Sequence, residues 1–309
     1  MTKLSIVTTL YRSAKEISEF HRQTTVAAQQ FAGDDYELII VNDGSPDNSY
    51  EIVYALAQHD AHVVLIDLSR NFGQHKALMT GLAHSKGEYV MMLDSDLEED
   101  PQWIHEFSTV MHQQQYDVVI GIQKSRKGGL FERWSGMIFY MVFNVLAGFN
   151  IPKNTVTARL MTRRFVDALL MHHETELFLG GISHITGFSQ GFCTITKQSS
   201  SQTSYTMRRK LALVLNSVTA FSNVPLYIIS YVGLSLFGVA AVIILYLVYM
   251  RLTQDRVIDG WASLLVAILA LGGMQMSAIG IIGLYIAKIF VETKRRPFTI
   301  VRSIFHKEL

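Results

Sequence analysis

Short apolar runs alternate with longer stretches of helical periodicity over the first 121 residues. The runs are rich in β-branched residues and predict strands, whereas the stretches between them predict helices. The predicted strands are residues 4–9, 36–41, 62–68, 89–93 and 117–121. The predicted helices are residues 14–31, 50–58, 75–84 and 101–114. Such alternation favours an α/β fold, in which a mostly parallel sheet carries helices on both faces.

Two later stretches are apolar without interruption. No Asp, Glu, Lys or Arg occurs in residues 211–250 or in residues 260–287. A helix needs about 20 apolar residues to cross the hydrocarbon core of a bilayer, so residues 225–250 and 261–291 are each long enough. We interpret them as two transmembrane helices. A pair of buried core helices is the alternative.

The charges beside these helices predict their orientation. Three consecutive cations stand at residues 208–210 and again at residues 294–296, whereas the connection at residues 251–260 carries two charges of each sign. The positive-inside bias therefore places both termini in the cytoplasm and the connection outside. The predicted segments are a cytoplasmic domain (1–207), an amphipathic juxtamembrane segment (208–224), two transmembrane helices (225–250 and 261–291) joined by an external loop (251–260), and a basic cytoplasmic tail (292–309).

Composition excludes several classes of function. The chain has 27 Lys and Arg against 26 Asp and Glu, so it lacks the dense basic footprint of a nucleic-acid-binding protein. Its single cysteine, Cys193, allows neither an intrachain disulfide nor a cysteine metal cluster. The sequence contains no P-loop lysine motif and no Gly-x-Gly-x-x-Gly fingerprint, which argues against ATP hydrolysis and dinucleotide redox chemistry.

Polar residues follow the predicted strands at the sheet edge where open α/β folds bind ligands. Asp94 and Asp96 follow the fourth strand, and two such carboxylates can hold a hard divalent cation whose shell a nucleotide diphosphate completes. Turn formation and helix capping are the alternative role for such a pair. Asp43 follows the second strand and is predicted to accept hydrogen bonds from the N–H groups of a base. A turn that starts the next helix is compatible with the same residues, 42–47.

Four segments, taken in order, resemble one known family. They are LSIVTTLYRS, ELIIVNDGSPDNS, LIDLSRNFGQHKALMTGLAHSKGEYVMMLDSDLEEDP and NTVTARLMTRR. Together with the two apolar helices that follow, they are similar to the family 2 glycosyltransferases of GT-A (Rossmann-like) fold. The resemblance is specifically to the polyprenyl-phosphate glycosyltransferases, which include bactoprenol glucosyltransferases and dolichyl-phosphate mannose synthases. It covers nearly the whole chain.

The resemblance implies a bacterial inner-membrane enzyme of cell-envelope glycan or lipopolysaccharide modification. Such an enzyme transfers a hexose, with inversion, from a nucleotide sugar to the phosphate of a polyprenol such as undecaprenyl phosphate. A UDP-linked donor is expected, with GDP as the alternative, together with Mg²⁺ or Mn²⁺ and assembly as a homo-oligomer. Two other hypotheses stay open: a membrane glycosyltransferase acting on a glycolipid hydroxyl, and a non-catalytic membrane protein that binds nucleotide sugars.

The candidate site residues fall into four groups by expected role. The expected metal ligands are Asp94, Asp96 and Glu98. The expected nucleotide-binding residues are Thr9, Tyr11, Asp43, Arg70, Lys76 and Asp94. The cations expected to hold the acceptor phosphate are Lys124, Arg126 and Arg133, for which ordinary solvated surface cations are the alternative. The residues expected to support catalysis are Asp94, Asp96, Arg126, Arg133 and Arg159.

The sequence departs from the family pattern at four places. Arg12-Ser13 stands where the family usually has Asn-Glu, and Glu98 stands where it often has Gln beside the metal. Thr157 stands at the Asp of the family's Gly-Asp-Phe-Arg element, and Ser204 stands at the Lys before an aromatic residue. These departures leave the identity of the sugar open. Residues 131–148 are apolar almost all round and form either an interfacial helix or a buried one.

Overall fold

The structure is a computed structural model that describes residues 2–123, 154–172, 174, 179–197, 224–254 and 260–307. The described residues form two compact units. The first unit contains the residues up to 197 together with residues 296–307, and it holds an eight-stranded sheet. The second unit contains two long helices.

The first unit confirms the predicted alternation of strands and helices. Its strands are β1 (Leu4–Leu10), β2 (Tyr36–Asn42), β3 (Val63–Leu68), β4 (Tyr89–Met92), β5 (Val118–Gln123), β6 (Thr155–Thr162), β7 (Gln190–Ile195) and β8 (Val301–His306). Its helices are α1 (Ile17–Ala32), α2 (Ser49–His59), α3 (Gln74–His84), α4 (Trp103–Gln114), α5 (Arg163–Leu170) and α6 (Leu179–Ile185). Every element predicted within the first 121 residues is present, with boundaries within three residues of the prediction.

The sheet is parallel at its centre and mixed overall. The strand order is β7-β5-β6-β4-β1-β2-β3-β8. The strands β4, β1, β2 and β3 run parallel to one another, as predicted. β6 lies between β4 and β5 and is antiparallel to both, and β8 is antiparallel to β3. The carboxyl ends of the four central strands therefore meet at one edge of the sheet.

Helices cover both faces of the central strands. All seven residues of β1 are buried, which requires cover on each side of the pleat. On one face, Phe20 of α1 and Phe107 of α4 join the main apolar core. On the other face, α3 approaches closely through Gly81, because a Cβ atom at that position would lie 2.5 Å from the side chain of Val7. The two-sided cover buries the central strands and leaves their ends as the place for polar chemistry.

The residues predicted to form a basic tail include a strand. Residues Val301–His306 form β8, which pairs with β3 at the edge of the sheet. The outer edge of β3 would otherwise present unpaired backbone donors and acceptors, and β8 satisfies them. Phe305 also packs against Tyr54 of α2, with ring centroids 4.6 Å apart. The sequence after the second apolar helix therefore contributes to the first unit.

The second unit consists of α7 (Val224–Gln254) and α8 (Trp261–Thr293). With 31 and 33 residues, the helices are about 46 and 50 Å long at 1.5 Å per residue. Each contains an apolar stretch long enough to span a bilayer, and neither stretch is buried by the rest of the described chain. This exposure argues against the alternative of buried core helices. Residues 208–223 and 255–259 of the predicted segments lie outside the described residues.

Asp117 stabilises the start of β5 by joining it to two neighbouring segments. Its carboxylate accepts hydrogen bonds from Ser189 Oγ, at 2.8 Å, and from the guanidinium of Arg164. Only 5% of the Asp117 side chain is exposed. Burial raises the pKa of Asp117, but the hydrogen bonds from Ser189 and Arg164 outweigh burial and hold that pKa below its ordinary value.

We predict that Asp117→Asn lowers the free energy of unfolding by about 1–3 kcal/mol at pH 7, because the buried acceptor loses the charge that strengthens its hydrogen bonds with Ser189 and Arg164. A pKa that is lower in the folded state stabilises the fold above the unfolded-state value of about 3.9, and this stabilisation is lost as the pH falls through the folded-state value. The difference in unfolding free energy between the wild-type protein and Asp117→Asn should therefore be smaller in acid than at pH 7. Denaturation of the two proteins at both pH values measures this difference. An equal difference at both pH values would contradict the stabilising role of the Asp117 carboxylate.

Candidate active site

The loops that follow the four central strands contact one another at the carboxyl edge of the sheet. The hydroxyl of Ser95, after β4, donates a hydrogen bond to the carbonyl oxygen of Thr9 in β1, at 2.8 Å. The backbone N–H of Phe72, after β3, donates to the carboxylate of Asp43, after β2, at 2.7 Å. The structure thus brings together the loops that the sequence predicted to meet at this edge.

The two aspartates of the Asp94-Ser95-Asp96 segment lie on either side of a fixed serine. Ser95 is buried, whereas Asp94 is half-buried and Asp96 is exposed. Asp94 accepts a hydrogen bond from Gln74 Nε2, at 2.6 Å. Asp96 is exposed, and its Oδ1 accepts the backbone N–H of Glu98 at 3.0 Å. The turn-forming role considered from the sequence therefore holds for Asp96. Because a carboxylate has two acceptor oxygens, this turn does not prevent Asp96 from binding a ligand.

Glu99 is the residue that joins this loop to the neighbouring strand. Its side chain is fully buried. One carboxylate oxygen accepts the backbone N–H of Asp94 at 3.0 Å, and the other accepts the backbone N–H of Thr157 in β6 at 3.1 Å. Glu99 was not among the predicted site residues. Its only sequence signal was the run of acidic residues that follows β4.

Two cations offset the negative charge of this loop. Lys197, just after β7, places Nζ 3.4 Å from carboxylate oxygens of both Glu98 and Glu99. Arg159 of β6 is buried and donates through Nε to the carbonyl oxygen of Thr157 at 3.2 Å. Burial lowers the pKa of Arg159 to about 10, against the opposing effect of the charges on Glu99 and Asp94. Arg159 was a predicted site residue, whereas Lys197 was missed.

The electrostatics of Asp94 favour a bound cation. Burial raises the pKa of Asp94 to about 7, and the charges of Glu99 and Asp96 add to that effect. Lys197 works in the opposite direction, but it does not restore the ordinary value. A divalent cation beside Asp94 and Asp96 would supply the missing positive charge, so these two carboxylates fit a metal of hard character.

The three predicted metal ligands do not form a ready-made cage. Within the described parts of the chain, no group of three or more His, Cys, Asp or Glu side chains is arranged to hold a metal ion. The carboxylate of Glu98 instead lies beside Lys197. A cation held by Asp94 and Asp96 would therefore need further oxygen ligands from a bound molecule or from water.

Asp43 organises the loop after β3. Its side chain is buried and accepts the backbone N–H groups of Phe72, at 2.7 Å, and Gly73, at 3.0 Å. Burial raises the pKa of Asp43 above its ordinary value, although these two donors act against that rise. Gly44 permits the close approach, because it has φ of 63° and a Cβ atom there would lie 2.6 Å from the backbone nitrogen of Asn71. The binding of a base by Asp43 stays a prediction.

The remaining nucleotide-binding candidates differ in accessibility. Tyr11 is 45% exposed and lies just beyond β1. Arg70 is exposed, and its guanidinium lies 4.2 Å from the ring centroid of Phe72. Thr9 is buried within β1, and Lys76 is partly exposed in the first turn of α3. Tyr11 and Arg70 are therefore the side chains most open to a ligand among these candidates.

The predicted acceptor-phosphate residues lie outside the described residues. These are Lys124, Arg126 and Arg133. The apolar segment 131–148 and Ser204 also lie outside them. The roles expected for these segments stay predictions.

Comparison with known proteins gives a consistent family. The Glycosyl transferase family 2 profile matches residues 5–170. A Mycobacterium tuberculosis protein (strain CDC 1551 / Oshkosh) named as a glycosyltransferase is 42% identical over 307 residues, which cover 99% of this chain and 90% of that protein. The bactoprenol glucosyl transferase of Shigella phage SfV is 31% identical over 304 residues, which cover 97% of this chain and 98% of that protein. The undecaprenyl-phosphate 4-deoxy-4-formamido-L-arabinose transferase of Pseudomonas fluorescens (strain SBW25) is 28% identical over 314 residues, which cover 99% of this chain and 90% of that protein.

We predict that Lys197→Met lowers the free energy of unfolding by about 3 kcal/mol, because it leaves Glu99 buried with less positive charge nearby. Glu99→Gln should lower the unfolding free energy less in the Lys197→Met variant than in the wild-type protein. The reason is that the Glu99 carboxylate has already lost its neighbouring cation in that variant. Denaturation of the two single variants and the double variant measures this coupling. Strictly additive effects would show that Lys197 and Glu99 act independently.

Proposed function

The chain belongs to glycosyl transferase family 2, and from that premise we propose that it transfers a hexose from a nucleotide sugar to the phosphate of a membrane polyprenol, with inversion. Its mixed α/β sheet is of the GT-A type, and the chain is a glycosyltransferase. The observation that carries the proposal is the Asp94 and Asp96 pair, held at the carboxyl end of β4 beside the loop of Asp43.

Contacts around the start of α3 support a nucleotide-binding role for this edge. Phe72 and Gly73 donate backbone N–H groups to Asp43, and Gln74 Nε2 donates to Asp94. Three consecutive residues thus connect the proposed base-binding carboxylate to the proposed diphosphate-binding carboxylate. A nucleotide sugar would lie across them, with the base toward Asp43 and the diphosphate toward Asp94.

Asp94 and Asp96 would hold a Mg²⁺ or Mn²⁺ ion together with oxygens of the diphosphate. When bound, the ion supplies positive charge to the diphosphate that leaves the sugar. Glu99 fixes the backbone of Asp94, and so it positions this carboxylate rather than binding the donor. Lys197 and Arg159 would reduce the repulsion between these acids and the diphosphate, because Lys197 lies beside Glu98 and Glu99 while the charge of Arg159 acts on Glu99 and Asp94.

The acceptor phosphate can attack without a strong general base. Its second pKa is about 6, so it is largely ionised at neutral pH. An oxygen of the phosphate forms a bond to the anomeric carbon while the bond from that carbon to the diphosphate breaks, and the diphosphate keeps the electron pair. Thr157 fits this scheme because a threonine hydroxyl is no base at neutral pH. Lys124, Arg126 and Arg133 are the proposed contacts of the acceptor phosphate.

The apolar helices suit an acceptor that is anchored in lipid. Both α7 and α8 are long enough to span a bilayer, and the cations beside them favour a cytoplasmic location for the sheet domain. Relatives named for bactoprenol and undecaprenyl phosphate support the same class of acceptor. An inner-membrane location and a homo-oligomeric state belong to this proposal.

We predict that the purified wild-type protein releases nucleoside diphosphate when it is mixed with undecaprenyl phosphate, Mn²⁺ or Mg²⁺ and the correct member of a panel of UDP- and GDP-sugars. Chelation of the metal should abolish release. Asp96→Asn should reduce turnover by about 100-fold or more, because it removes a charged ligand from the diphosphate site.

Asp100→Asn is the matched control, since Asp100 lies in the same loop and caps the backbone N–H of Gln102 at 2.9 Å. It should retain most of the activity. Wild-type turnover in Asp96→Asn would remove the carboxylate pair from the mechanism. Absence of release with every donor would favour the non-catalytic hypothesis, and release only with a glycolipid hydroxyl as acceptor would favour the other enzyme class.

We also predict that Thr157→Ala keeps turnover within about tenfold of the wild-type value, because the acceptor phosphate supplies its own ionised oxygen. The backbone N–H of Thr157 still reaches Glu99 in this variant, so the local fold should persist. Steady-state rates with the preferred donor check the prediction. A complete loss of activity with unchanged stability would show that the Thr157 hydroxyl has an essential role.

A further inference from the structure

We propose that the C-terminal strand β8 positions the donor-binding loop, and that Arg302 is the positioning residue that couples the two. The donor-binding loop is defined here as residues 69–73, between β3 and α3. The inference rests on the proposed function, because it assumes that the nucleotide binds at this loop. It assigns a role in the site to a segment that follows both apolar helices in the sequence.

The C-terminal segment holds both backbone groups of Ser69, the first residue of the donor-binding loop. The N–H of Ser69 donates to the carbonyl oxygen of Ile300 at 2.9 Å. The carbonyl oxygen of Ser69 accepts from Arg302 Nη2 at 2.8 Å. The regular pairing of β8 with β3 shifts between Asp67 and Leu68, just before this point. Hydrogen bonds that involve Ile300 and Arg302 therefore attach the C-terminal segment to Ser69, just beyond the point where the regular pairing of β8 with β3 ends.

The same guanidinium reaches a buried carboxylate at the end of β3. Arg302 Nη1 lies 3.0 Å from Asp67 Oδ2, and only 6% of the Asp67 side chain is exposed. The other oxygen of Asp67 accepts from Asn42 Nδ2 at 2.7 Å. Asn42 Oδ1 in turn accepts the backbone N–H of Ser45 at 3.0 Å. Arg302 therefore supports the loop after β2, which contains Asp43, as well as the loop after β3.

The far end of the donor-binding loop is fixed by Asp43. Phe72 and Gly73 donate their N–H groups to its carboxylate, and Asn71 Nδ2 donates to its carbonyl oxygen at 3.0 Å. With Ser69 held by the C-terminal segment, the loop is anchored at both ends, and exposed Arg70 lies between the anchors. Release of one anchor would let the loop sample more conformations and would weaken donor binding by loss of preorganisation.

The experiment compares Arg302→Gln with a matched control, Arg164→Gln, in the full-length protein. Both variants remove an exposed arginine from a nearly buried aspartate: the side-chain exposures are 61% and 6% for Arg302 and Asp67, and 69% and 5% for Arg164 and Asp117. Arg164 joins α5 to the start of β5 rather than to the donor-binding loop. The control therefore reports the effect of a comparable loss of stability on its own.

We expect Arg302→Gln to raise KM for the nucleotide sugar about fivefold or more while kcat changes little, because the catalytic carboxylates stay in place. Arg164→Gln should leave KM and kcat unchanged, although it should lose about as much thermal stability as Arg302→Gln. Hydrogen exchange of peptides that cover residues 69–73 should be faster only in Arg302→Gln. An unchanged KM in Arg302→Gln, or an equal rise in both variants, would overturn the proposal.

The exchange measurement separates this inference from the proposed function. If the wild-type protein releases no nucleotide with any donor, the proposed function fails, but faster exchange in Arg302→Gln alone still supports the coupling of β8 to the loop. If nucleotide is released and exchange at residues 69–73 is the same in all three proteins, the coupling fails while the proposed function stands.

Discussion

The organisation of the site depends on buried negative charge at the end of β4. Glu99 is fully buried, and it accepts the backbone N–H groups of Asp94, in the loop after β4, and of Thr157, in β6. Such a carboxylate is stable only when donors and cations surround it. Arg159 from β6 and Lys197 from the end of β7 provide that charge. The requirement for compensation thus joins β4, β6 and β7 at the place where the proposed diphosphate would bind.

Carboxylates at this edge act first as acceptors for neighbouring loops. Asp43 holds the loop after β3, Glu99 holds β6 against the loop after β4, and Asp67 connects the C-terminal strand to Asn42. Because these acceptors are engaged within the protein, they fix the backbone before any ligand arrives. The exposed side chains around them, such as Asp96, are then presented by a rigid frame. Polar groups that are fixed before a ligand binds can stabilise developing charge without reorganisation.

The sequence predicted the first part of the fold because the signals there are local. Strands such as β1 and β2 are continuous apolar runs, and each is followed by a helix of clear periodicity. The two long helices were predictable for the same reason, since a charge-free stretch is visible without any knowledge of contacts. By contrast, β6, β7 and β8 were not predicted. Their positions depend on pairing with strands far away in the sequence, and short mixed runs such as VRSIFH do not indicate a partner.

The candidate site was predicted in part for a related reason. Asp94, Asp96 and Asp43 directly follow strands, and parallel strands bring such residues to one edge. Glu99 and Lys197 were missed because their importance comes from burial and from a contact across 98 residues of sequence. Glu98 was placed among the metal ligands by analogy, whereas in the structure its carboxylate lies beside Lys197. The structural contribution of a charged residue is therefore harder to predict than its possible chemistry.

The most direct test of the account is the binding of Mn²⁺ to the purified protein, measured by titration calorimetry with and without UDP or GDP, for the wild-type protein and for Asp96→Asn. The account predicts weak binding of Mn²⁺ alone and much tighter binding when the matching nucleoside diphosphate is present, with that gain lost in Asp96→Asn. Equal affinity for Mn²⁺ with and without the nucleoside diphosphate, or an unchanged gain in Asp96→Asn, would contradict a cation held between this carboxylate pair and the diphosphate.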